Sequence, residues 1–129
     1  MSTPDMPVVY VAGPYNANGA CAVMENIREG VKLCRHLMRF GVAPVCPWLD
    51  HVYLIQGEVS EDTLKAVSMA MLRKSDAVLV NTSLPGWEQS KGTAAEIAEA
   101  KRLGIPVSFC IEGIEGWLDW RREEREAKA

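Results

Sequence analysis

The stretch Ala77-Val-Leu-Val80, followed after a short gap by Leu84-Pro-Gly-Trp-Glu-Gln-Ser-Lys-Gly-Thr-Ala-Ala-Glu-Ile-Ala-Glu-Ala-Lys-Arg-Leu-Gly-Ile-Pro-Val107, reads as a strand, a turn-rich loop, a helix and the start of another strand. Gly92 and Thr93 open the helical pattern, and Gly104 with Pro106 closes it. The first turn of such a helix carries backbone N–H groups without intrahelical partners at the positive end of the helix dipole. Ser90, Gly92 and Thr93 let an anion such as a phosphate approach those groups. One turn further in, Glu96 sets a carboxylate beside the same mouth. The same residues also read as a capping box, Thr93-Ala-Ala-Glu96, in which threonine and glutamate satisfy each other's backbone donors. Spacing supports both readings equally.

Upstream, Pro7-Val-Val-Tyr-Val-Ala12 is a continuous apolar run ending in Gly13-Pro14, as expected of a first strand buried on both faces of a parallel sheet. The loop after it, Gly13 to Gly19, brings a glycine that admits a ligand to the backbone, while Tyr10 and Tyr15 supply rings and hydroxyls. Tyr10 also reads as a core tyrosine with a satisfied hydroxyl. From Cys21 to Phe40, Val23, Ile27, Val31, Cys34 and Met38 step by three or four, so an amphipathic helix is predicted, with Gly41 as its left-handed stop. Asn26, just before that stripe residue, is either plain surface or a polar group reaching back over the first loop.

Val42-Ala-Pro-Val-Cys46 is predicted as a second strand at a sheet edge, where a proline is tolerated. Pro47 to Gly57 has no clean period; its Trp48 and Tyr53 look exposed, either as a lid over a ligand or as a subunit contact. Ser60 caps a predicted helix with Leu64, Val67, Met71 and Leu72 inward, and the third strand follows from Ala77. Ile105 to Cys110 is a predicted fourth strand, and a helical end with Trp117, Leu118 and Trp120 runs into a charged tail from about Arg121, with Glu124 and Lys128 at supportive spacing.

Alternating strands and helices joined by right-handed crossovers give an α/β fold: a Rossmann-like open parallel sheet with helices on both faces, in a single domain over 1–129. In such sheets a ligand sits at the carboxyl ends of the strands where their order reverses, here between the first and third. The loops at Gly13 and at Trp87 to Gly92 then face each other across one crevice.

Composition narrows the partners. A net charge of −3 and a pI near 5.4 argue against a basic nucleic-acid grip. No apolar run reaches membrane-spanning length, and Met1 to Pro7 lacks the pattern of a charged leader and apolar core, so a cytoplasmic protein is expected. Cys21, Cys34, Cys46 and Cys110 have no Cys-x-x-Cys spacing, and His36 and His51 are not arranged with them. Free thiols are expected, Cys34 and Cys110 as small core residues, with His36 on an exposed flank and neither metal nor cofactor.

The segments Val9-Tyr-Val-Ala-Gly-Pro-Tyr15, Asn26-Ile27, Gly41 with Pro44 and Cys46-Pro47, Ser75-Asp-Ala-Val-Leu79, Leu84 to Gly92 through Glu96, and Gly104-Ile-Pro-Val107 together resemble the nucleoside 2-deoxyribosyltransferase-like superfamily, and within it the small phage and bacterial proteins grouped as a domain of unknown function. The match runs from Val9 to about Ile111. The resemblance implies N-glycosidic chemistry on nucleosides or their monophosphates, with Glu96 as the nucleophile, Tyr10 orienting it, Ser90 and the Gly92 backbone facing a 5′-phosphate, and Trp87 bordering the pocket. Where those enzymes carry an aspartate that holds the sugar or base, this chain has Ser68; Asp62 or Asp50 could stand in.

Other members with this look are phage anti-Thoeris sponges, which bind cyclic ADP-ribose-type immune signals without turnover. Ile111-Glu112 echoes the Ile-Glu segment into which their final strand runs, whereas Pro47-Trp48 departs from the histidine more usual after that proline. With the catalytic set incomplete, the sequence expectation is such a nucleotide-sequestering sponge, with the N-glycosidase or deoxyribosyltransferase as the alternative. The ligand-binding set is Tyr10, Gly13, Pro14, Tyr15, Asn26, Trp87, Ser90, Gly92, Thr93 and Glu96. A homodimer or homotetramer is expected from Trp48, Trp117 and Trp120, which exceed what a small sheet domain buries alone.

Overall fold

Strand β1, Val8–Ala12, lies inside a four-stranded parallel sheet of order β2-β1-β3-β4, with β2 at Ala43–Val45, β3 at Ala77–Val80 and β4 at Val107–Ser108. These coordinates come from a computed structural model that describes residues 5–15, 17 and 19–129. The expectation about a leader falls partly, and the one about the His51 side chain wholly, outside the described residues. Val9 pairs with Ala77 and Ala12 with Val80, while Val8 pairs with Ala43 and Val78 with Val107. The chain forms one α/β domain of Rossmann-like type. As predicted, β2 with Pro44 is an edge strand, and the order reverses between β1 and β3.

Strand alternation sorts the core into two layers. Val9, Val11, Ala77 and Leu79 face one side, covered by α1 (Ala20–Met38) and α4 (Ile111–Lys128) through Cys34, Leu37 and Ile114. Tyr10, Ala12, Val78 and Val80 face the other, covered by α2 (Glu61–Arg73) and α3 (Lys91–Arg102) through Leu72 and Ala100. Gly41 and Gly104 close α1 and α3 with φ of +78° and +74°, conformations open to glycine. The charged tail is the last part of α4, and Glu124 and Lys128 pair at 3.9 Å.

The structure corrects several expectations. α3 begins at Lys91 and its N-cap is Ser90, whose hydroxyl accepts from the Thr93 N–H at 3.2 Å. The capping box at Thr93 and Glu96 is therefore absent. β4 covers two residues, Val107 and Ser108, paired with Val78 and Leu79, and the Phe109 carbonyl instead accepts from the Thr82 hydroxyl at 3.3 Å. On α2, Val67 is exposed and Met69 packs inward in its place. Cys110 is exposed at the start of α4, whereas Cys34 is buried as expected.

Trp48 is the largest correction. The segment Pro47–Gln56 is a 3-10 helix, and Trp48 within it is fully buried, so it forms neither lid nor subunit contact. Its ring occupies the space a side chain would take at Gly30, where an added Cβ would lie 1.5 Å from Cζ3, and at Gly13, where it would lie 2.8 Å from Cζ2. Its Nε1 donates to the Gly13 carbonyl at 3.1 Å. Tyr53, on the same segment, is exposed.

Candidate functional site

The loops leaving β1 and β3 diverge at the order reversal, and a crevice of about 710 Å3 opens between them. Gly13, Pro14 and Tyr15 form one wall, and Ser90, Gly92, Thr93 and Glu96 of the α3 start form the facing one. Tyr10 lies at the floor. Eight of the ten residues expected to bind a ligand thus meet in one place. Asn26 and Trp87 stand outside the lining. Asn26 Nδ2 donates to the carbonyls of Pro14 and Tyr15 at 3.3 and 3.4 Å, so it holds the first loop in shape. Trp87 turns toward Phe109, with ring centroids 5.7 Å apart, and packs on the α3 side of the core.

Sequence reading missed the wall built by α2. Glu61, Leu64, Lys65, Ser68 and Met69 all line the crevice, a spacing of three, four, seven and eight from the first that marks one helix face. That periodicity was available, but the stripe drawn through Val67 and Met71 obscured it. Ser68 comes to the floor, where its hydroxyl acts on that of Tyr10. Asp50 and Asp62 are not in the lining; the carboxylate that α2 contributes is Glu61, at the rim and paired with Lys65 at 3.3 Å.

The floor is electrostatically unusual. Burial pushes the Glu96 carboxyl from an ordinary 4.5 up to about 7, against the pull of a hydrogen bond from Tyr10. Burial first, and then the Glu96 charge, raises the Tyr10 hydroxyl well above its ordinary value, while Ser68 lowers it. Tyr15 is pushed up to about 12 by burial and by Asp50 and Glu96. Tyr10 Oη and Thr93 Oγ1 are both buried without a hydrogen bond of full geometry, although Glu96 and Ser68 stand close to the tyrosine. Buried polar atoms in a folded chain are normally paired, so these two leave unused hydrogen-bonding capacity among the residues that line the crevice. Among the described residues no group of three or more His, Cys, Asp or Glu is placed to hold a metal ion.

No curated protein matches the chain. A family model described as a domain of unknown function, DUF7768, matches residues 7–110, a span that runs from the start of β1 to the residue before α4 and contains every wall of the crevice. The chain therefore belongs to the DUF7768 family.

Proposed function

We propose that the crevice binds a phosphate-bearing nucleotide and that Glu96 acts on its sugar, in the N-glycosidic hydrolysis or transfer that the resemblance to the nucleoside 2-deoxyribosyltransferase-like superfamily implies. The observation that carries this reading is the Glu96 carboxyl, held by burial at about 7 beside Tyr10 on the floor of a crevice walled by a helix start. A phosphate at that start meets the N–H groups of Lys91 and Gly92, which have no intrahelical acceptor, and the Thr93 hydroxyl, which has no partner. The sugar then lies over Glu96. The ionised carboxylate adds to the anomeric carbon, the C–N bond breaks, and its electron pair leaves with the base, which takes a proton. Water or an acceptor base then displaces Glu96.

Ser68 favours a second reading, intact capture of a cyclic ADP-ribose-type signal as by a phage anti-defence sponge. It offers a hydroxyl where the enzymes have a carboxylate, and Glu61 is held at the rim by Lys65. The two readings differ in pH dependence. Turnover needs ionised Glu96 and rises through about pH 7, whereas capture of an anion is opposed by that ionisation and weakens over the same range. Incubation with nucleoside monophosphates and cyclic ADP-ribose isomers, followed by chromatography of the solution and of the heat-denatured protein, decides. Free base formed catalytically and abolished by Glu96→Gln supports the enzyme. Stoichiometric recovery of intact ligand establishes the sponge, and binding of none of them removes the nucleotide reading.

Self-association as a homodimer or homotetramer is part of the same proposal, only partly on the residues first expected. Trp48 is buried and Trp117 is half-buried with Arg121 over its ring at 5.5 Å, whereas Trp120 is exposed. A contiguous run of exposed apolar residues lies at Leu49, Val52, Tyr53, Leu54 and Ile55, the last 79% exposed, and Leu54 continues it into the crevice. Light scattering at micromolar protein should report an oligomer that Ile55→Glu dissociates; a wild-type monomer removes the claim. No helix of the described residues is long and apolar enough to cross a membrane, and a cytoplasmic location belongs to this reading.

A further inference from the structure

The carboxyl edge of the sheet carries a second cleft, of about 360 Å3, between α1 and the junction of β3, β4 and α4. It is independent of the crevice, which is walled by α2 and α3. Strand alternation turns Asn81, the residue after β3, to the same face as Ala77 and Leu79, and Leu79 lines this cleft beside it. Asn81 is 3% exposed. Its Oδ1 accepts from the Ser83 N–H at 3.2 Å and from the Ser83 hydroxyl at 2.6 Å. A backbone N–H can face only the oxygen of the amide, so this turn fixes the side chain's orientation. Nδ2 is left buried without a partner.

A second source of donors lies in the same lining. Helix α4 begins at Ile111 after Cys110, which makes no side-chain cap, so the first N–H groups of an 18-residue helix are uncapped there. The interior of the cleft thus presents donors, Asn81 Nδ2 and the α4 start, between the apolar side chains of Leu33 and Phe109. Such an interior takes oxygen acceptors. The charged lining residues limit the charge: Lys32 is set against Glu29 and Glu112, which oppose a dianion far more than a single carboxylate.

We infer that this cleft is a binding site for a small monocarboxylate with an apolar tail, its carboxylate on Asn81 Nδ2 and the α4 N-terminus. The test uses 15N-labelled full-length protein titrated with butyrate, and separately with inorganic phosphate, following the Asn81 side-chain amide and the backbone amides of Ile111 and Glu112 by NMR. Butyrate should shift all three saturably and at lower concentration than phosphate. Asn81→Asp keeps the acceptor that Ser83 uses and removes the donor, so it should remain folded and weaken butyrate by tenfold or more, read on Ile111 and Glu112. Lys32→Glu, an exposed change with no packing role, should weaken it severalfold, and Ser90→Asp in the crevice should leave it unchanged. Absence of a butyrate response, tighter phosphate binding, or full affinity in Asn81→Asp overturns the inference.

Discussion

The two faces of the sheet draw on neighbouring residues of the same strands and close in opposite ways. On the α1 and α4 face, Trp48 fills the space left by Gly13 and Gly30, and the core continues to Leu84 beside it. On the α2 and α3 face, Tyr10 brings a hydroxyl into the middle of the core and meets Glu96 where an apolar pair would have sealed the layer. The packing around Trp48 serves the open side. The indole of Trp48 holds the Gly13 carbonyl, and Gly13 begins the loop that walls the crevice. Close packing on one side fixes the position of an unfinished polar surface on the other.

Removing the seal should have the largest effect. Trp48→Ala is expected to cost about 3–5 kcal/mol in urea unfolding, since the whole buried ring is lost. If it costs under about 1 kcal/mol, the contrast between the faces is not one of packing. Gly30→Ala attacks the same contact from the other side. A methyl there collides with the indole ring and should cost about 3 kcal/mol, although alanine is the better helix former. Gly30→Ala combined with Trp48→Leu should recover part of that loss, a coupling that separates collision from any intrinsic defect in α1.

The open face is tested through Glu96 and pH. Its folded-state value of about 7 lies above the ordinary 4.5, so below pH 4.5 the carboxyl is neutral in both folded and unfolded chains and contributes no difference. Between those values the unfolded chain gives up its proton first, and stability falls as pH rises until Glu96 is ionised in both states. Glu96→Gln should therefore match the wild type near pH 4 and exceed it at pH 8 by on the order of 3 kcal/mol. An equal difference at both pH values would mean that the glutamate's packing, not its charge, sets the cost.

The smallest effect compares two helix caps that share one hydrogen bond. Ser60 and Ser90 each accept a hydrogen bond from the N–H of a threonine three residues on, Thr63 and Thr93. Replacement of either by Ala should cost about 1 kcal/mol. Only Ser90→Ala should also weaken nucleotide binding, because only Ser90 lines the crevice. Equal ligand affinity in both variants would sharpen the comparison against a phosphate at the α3 start.

Much of this architecture was legible without coordinates. Short apolar runs at Val8 and Ala77, a 3.6-residue stripe in α1 and the glycines at 41 and 104 act through local periodicity and backbone conformation, which the chain carries wherever it folds. Eight of the ten proposed ligand residues could be brought together because strand order alone decides which loops share an edge of the sheet. The departures depend on contacts between residues far apart in sequence. Trp48 looked exposed because nothing near it marks a core, and it is buried because Gly30, on another element, has no side chain to exclude it. Whether Thr93 or Ser90 caps α3 turned on which hydroxyl the folded loop aims at the free N–H groups. Glu96 could be placed beside a crevice by spacing, but its raised proton affinity arises from the depth at which Tyr10 and α2 enclose it. Sequence determines periodicity, stops and strand order, which are local or topological; desolvation and steric fit are properties of the packed whole, and only the tertiary structure decides them.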